Sequence, residues 1–133
     1  MRKINLQAQY NYLHTKIQTS SPGQLTLMLY TGCIKYLKLA VQSIEIHDME
    51  GKHLNFVKAQ NIIDELQSTL NMEYEISKQL YSLYTYINEK LFEANVKLDV
   101  KSAEDCIQLL TELRDTWAEA LKLISNGEQV GVQ

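Results

Sequence analysis

The stretch 20–46, SSPGQLTLMLYTGCIKYLKLAVQSIEI, limits the folds open to this chain more than any other part. It begins with a helix start signal. Ser21 can cap, Pro22 stands where a missing N–H does no harm, and Gln24 follows Ser21 at capping-box spacing. Leu27, Tyr30, Ile34, Leu37, Val41 and Ile44 then recur at helical steps, the seam of a helix packed on helices. Leu25, Leu29, Cys33, Tyr36 and Ala40 form a second apolar row beside the first. Two rows are too wide for one neighbour, so this helix needs at least two. The spacing does not say which row faces inward.

The rest of the chain supplies those neighbours. A break at His47-Asp48-Met49-Glu50-Gly51 separates the first helix from a second over about 52–70, with the seam Phe56, Ala59, Ile63, Leu66 and Leu70. Asn71 is expected to cap a third helix over about 72–98, whose core row reads Ile76, Leu80, Leu83, Ile87, Leu91, Ala94 and Leu98. Asp99 or Ser102 is expected to cap a fourth, with Ala103, Cys106, Leu110, Leu113, Trp117, Ala120 and Ile124 inward and Asn126-Gly127 as its stop. One proline and five glycines in 133 residues leave little material for turns. Short breaks between long helices force antiparallel neighbours, so the expected fold is all-α, an antiparallel up-down four-helix bundle. The bundle would occupy 20–126 and residues 127–133 a frayed tail. Residues 1–19 would form a partly mobile N-terminal arm or a short capping helix. They carry too many large apolar groups for a purely disordered tail, so the arm has something to pack against.

Several classes of function are disfavoured. The net charge of −3 argues against a broad phosphate-binding surface, hence against nucleic acid. No apolar run approaches the roughly 18 residues of a membrane span, and the N-terminus lacks a signal peptide's apolar core. The expected location is therefore the cytoplasm. Cys33 and Cys106 stand in apolar rows, where thiols serve as small hydrophobes rather than nucleophiles or a disulfide. Di-iron bundles use paired Glu-x-x-His units, and here the one copy, Glu50 to His53, falls at a break. No cofactor, metal or catalytic set is expected, and the chain does not read as an enzyme.

Tyrosine is the unusual feature: eight, against two Phe and one Trp. In the third helix Tyr81, Tyr84, Asn88, Leu91 and Asn95 make a mixed row of aromatic, amide and aliphatic groups, and Asn61 and Ile62 make a comparable edge on the second. Tyrosine buries a ring and keeps a hydroxyl for water, which suits a surface covered only part of the time. Two readings stand: a sealed bundle edge with hydroxyls outward, or a groove that takes an amphipathic helix from another protein.

Five blocks carry a family resemblance: 21–30 (SPGQLTLMLY), 58–66 (KAQNIIDEL), 83–87 (LYTYI), 91–95 (LFEAN) and 114–117 (RDTW). In this order and spacing, over about 10–122, the chain resembles FliS, the bacterial flagellar secretion chaperones specific for flagellin. The resemblance implies a helical bundle that binds the C-terminal segment of flagellin, prevents its premature polymerisation, and delivers it to a gate component of the flagellar type III export apparatus. It implies that the segment is disordered when free and becomes helical as it wraps around the bundle, and that the N-terminal arm can lie over part of that surface when flagellin is absent. Tyr12 matches the family's N-terminal tyrosine, and Tyr84, Tyr86 and Asn95 match residues the family carries there. Many members have an acidic residue where this chain has Thr85, and arginines where it has Glu89 and Lys90. The expected partner-binding set is Tyr10, Tyr12, Asn61, Ile62, Tyr81, Tyr84, Asn88, Leu91 and Asn95. The alternative is a bundle that self-associates as a homo-oligomer through its tyrosine edge, with a structural or adaptor role.

Overall fold

A computed structural model of the chain describes residues 22–125. It contains four helices: α1 (Pro22–Glu45), α2 (Met49–Ser68), α3 (Glu75–Lys97) and α4 (Val100–Ser125). The arm, the Ser21 cap, Tyr10, Tyr12, Asn126-Gly127 and the tail lie outside the described residues.

Each helix packs on its two neighbours in the ring α1–α2–α3–α4–α1. The pairs run antiparallel. Cys33 Sγ of α1 donates to Ala59 O of α2 at 3.5 Å, and Gln67 of α2 reaches Tyr81 and Thr85 of α3. The start of α1 meets the end of α4, where Trp117 Nε1 donates to Gly23 O at 2.7 Å. Gly23 permits that approach, since a Cβ there would stand 2.5 Å from Leu121 Cδ2.

Both apolar rows of α1 are used. The buried stripe of Tyr30, Cys33, Ile34, Leu37 and Ala40 runs between them. Ile34 turns toward Arg114 of α4, and Tyr36 toward Lys58 of α2. Cys33 and Cys106 are buried free thiols. Burial lifts Cys33 far above the usual thiol range and Cys106 to about 11, so neither is a thiolate at neutral pH.

The turns differ from the sequence reading in instructive ways. After α1, His47 adopts a left-handed φ of 59°; its N–H bonds Ile44 O and that of Asp48 bonds Ser43 O. This is a Schellman ending built without glycine. Asp48 then caps α2 by accepting from Gly51 N at 2.9 Å. Helix α2 therefore starts at Met49, not Lys52. Gly51 lies inside its first turn because a Cβ there would run into the Asp48 carboxylate. Asn71 does not cap α3. Its carboxamide oxygen accepts from Glu73 N in a local turn, and α3 starts only at Glu75. The choice at α4 falls on Asp99, which accepts from both Ser102 N and Ser102 Oγ.

The core face of α3 is rotated from the expected row. Ile87, Leu91 and Ala94 are buried as expected, but so are Ser77, Tyr84 and Asn95. Ile76 and Leu98 are exposed. Ile76 sits in the first turn, and Leu98 is turned outward by its own left-handed φ of 55°.

Candidate partner-binding surface

The rotation of α3 decides where an open surface can lie. Tyr84 belongs to the interior. Its ring meets that of Tyr30 with centroids 6.5 Å apart, and the two hydroxyls bond at 2.5 Å. Burial pushes both phenols above the usual range. Leu91 is fully buried as well. Asn95 is buried, with its amide nitrogen donating to His53 Nδ1 at 3.1 Å and its backbone oxygen accepting from Lys52 Nζ at 2.9 Å. These three are corrections to the expected surface row. A step of three from Tyr81 to Tyr84 turns that row into the core, where their rings and methyls have neighbours on all sides.

A step of four keeps it outside. Tyr81, Thr85, Asn88, Phe92 and Val96 fall on one stripe along α3, and Thr85 and Asn88 bond side chains of α2. Tyr81, Phe92 and Val96 are 46%, 61% and 64% exposed, far more than large apolar side chains require. Between this stripe and α2 lies a cleft of about 500 Å³ lined by Gln60, Gln67, Thr85, Asn88, Glu89, Phe92 and Glu93. Polar bonds hold its floor. Gln67 Nε2 donates to Tyr81 O at 2.9 Å and Thr85 Oγ1 at 2.7 Å, and Asn88 Nδ2 donates to Asp64 Oδ1 at 2.7 Å. α2 and α3 are thus bridged by side-chain amides where a sealed bundle would place aliphatic groups, and the apolar groups sit above the bridge, open to solvent.

The expected residues do not gather on one face. Tyr81 and Asn88 border the α2/α3 cleft. Asn61 is exposed on α2 but away from it. Ile62 packs toward α1, with Cδ1 3.5 Å from where a Gly32 Cβ would stand. Phe92, Val96, Thr85, Gln60 and Gln67 are not in the partner-binding set expected from the sequence. The step-of-four pattern from Tyr81 was the signal that could have found the first three. Among the described residues no group of His, Cys, Asp and Glu is placed to hold a metal ion, and no helix is long and apolar enough to cross a membrane. What this surface offers is burial for an apolar stripe.

Comparison with known proteins identifies the chain's relatives. A family model described as flagellar protein FliS matches residues 4–123. The flagellar secretion chaperone FliS of Bacillus subtilis (strain 168) is 43% identical over 111 residues, covering 84% of each chain. That of Escherichia coli (strain K12) is 30% identical over 112 residues, covering 82% of each. A crystal structure of a bacterial flagellar chaperone matches with a TM-score of 0.72 and 25% identity, over 88% of this chain and 97% of the other. With the family model and the Bacillus relative both spanning most of its length, the chain belongs to the FliS family.

Proposed function

We propose that this protein is a cytoplasmic export chaperone. It binds the C-terminal segment of flagellin, prevents its premature polymerisation, and delivers it to a gate component of the flagellar type III export apparatus. The observation that carries the reading is the exposed stripe of Tyr81, Phe92 and Val96 on α3, with Phe92 lining the α2/α3 cleft, in a family of chaperones rather than enzymes.

The mechanism needs neither ATP nor covalent chemistry. Flagellin termini that form coiled coils in the filament carry apolar stripes, which must stay covered beforehand. Laying such a stripe on α3 removes apolar area from water at roughly 25 cal/mol per Å². Ordering a disordered segment opposes this, so the net affinity can hold the cargo and still permit release. Residues 1–19 act as a strap that competes for the same surface when cargo is absent.

Calorimetric titration of the protein with the C-terminal segment of its cognate flagellin tests the reading. Saturable binding with a rise in helical circular dichroism is expected. A flat titration, or a homo-oligomer that the segment cannot dissociate, would favour self-association through the tyrosine edge instead.

A further inference from the structure

The α2/α3 cleft is charged on one side of neutrality only. Its lining includes the carboxylates of Glu89 and Glu93 and no cation. Asp64 joins them from α2 through its bond to Asn88. Glu93 shares Lys97 on its own helix, at 3.5 Å between exposed groups, a pairing that water screens. Asp64 and Glu89 take part in no ion pair among the described residues. The neighbouring cations are turned away or held. Lys58 stands over the Tyr36 ring of α1, and Lys52 is bonded to Asn95 O at 2.9 Å. Lys90 lies over the Tyr86 ring and within electrostatic reach of Cys106 on α4. Between Lys58 and Lys90 the chain carries Asp64, Glu65, Glu73, Glu75 and Glu89 against Lys78 alone, which is paired with Glu75.

The cleft also has more acceptors than donors. Asn88 Nδ2 donates to Asp64 Oδ1 at 2.7 Å, which leaves Asn88 Oδ1 buried without a donor. Gln67 spends its amide hydrogens on Tyr81 O and Thr85 Oγ1, and the Thr85 hydroxyl donates to Tyr81 O. An anionic group would meet only like charge here. A lysine or arginine brings donors and no acceptor. A bare cation would leave Phe92 uncovered. That ring is 61% exposed and stands three residues from Glu89, on the same face of α3. The occupant that meets both features has an apolar group and a cation within one helical turn.

We propose that the cargo stretch seated on this cleft is a basic amphipathic helix, with a lysine or arginine beside its apolar stripe, and that Asp64 and Glu89 select it. The proposal rests on the cargo reading above and adds to it the charge of the docked stretch. The apolar side covers Phe92 and Tyr81, and the cation meets Asp64 and Glu89. Apolar burial holds the segment, and the charge pair sets its register along α3. A segment with a carboxylate at that place is repelled.

The test is calorimetric titration of the full chain with the C-terminal segment of its cognate flagellin. Glu89→Lys should weaken binding about tenfold, Glu89→Gln less, and high salt should narrow the difference. Glu45→Lys, the same charge change at the end of α1, should bind as the parent does. With the segment's lysines and arginines replaced by glutamate one at a time, one variant should bind Glu89→Lys better than it binds the parent. Glu89 is exposed, so the circular dichroism of its variants should match the parent's. Should Glu89→Lys lose helix, Glu89→Gln carries the test at low salt. A parent that does not bind the segment overturns the cargo reading and this proposal with it. If the parent binds, the cargo reading stands, and this proposal alone is overturned by any of three results. These are Glu89 variants that bind as the parent does, Glu45→Lys weakened as much as Glu89→Lys, or no segment variant that restores binding.

Discussion

The Tyr30–Tyr84 pair places two phenol hydroxyls in the interior, bonded to each other. Removing one leaves the other buried and unpaired, at a cost of about 1–3 kcal/mol; removing both leaves nothing unsatisfied. Tyr84→Phe should therefore lower unfolding free energy in a urea titration. Tyr30→Phe/Tyr84→Phe should restore most of the loss, and equal losses that simply add would refute the pairing. The same pair has a pH signature. Burial raises both phenols above their ordinary 10.0, so the stability they contribute is whole below pH 10 and drains away as pH climbs beyond it. Cys106, raised from 9.0 to about 11, loses its contribution across that interval. The urea midpoint should fall above about pH 9, and less steeply in the double phenylalanine variant. Nothing in the one-dimensional pattern distinguishes Tyr84 from Tyr81. Both are tyrosines on a mixed row, and only the packing angle of α3 sends one hydroxyl to Tyr30 and the other ring to solvent.

The helices themselves were largely legible, because their apolar periods run for several turns. The seam of α2 is the clearest case: Phe56, Ala59, Ile63 and Leu66 are all fully buried. Boundaries were less so. Gly51 read as a breaker because glycine disfavours helix, but here it admits the Asp48 cap. His47 and Leu98 end their helices in left-handed geometry that nothing in their side chains advertises. For an L-residue that geometry costs roughly 1–2 kcal/mol, offset in part by the entropy a glycine brings to the unfolded chain. His47→Gly should thus stabilise the protein by about 0.5–1 kcal/mol in thermal or urea unfolding, since the His47 side chain is exposed. A loss of stability would mean that the imidazole has a role in the turn.

For the molecule as a whole, the fold class followed from helix count and short connections. The location of the open surface did not, since exposure depends on how α3 is rotated against α2. Deleting residues 1–19 should reduce solubility of the free protein and tighten its hold on flagellin, as judged by light scattering and calorimetry. A truncated protein that stays monodisperse with unchanged affinity would dismiss the strap. The most direct measurement is calorimetric titration of the flagellin segment into the parent and into Phe92→Ala, whose exposed side chain adds little to the core. Binding weakened by about 1–3 kcal/mol, with unchanged circular dichroism, is the expected result; affinity equal to the parent's would contradict the claim that the outer edge of α3 holds the cargo.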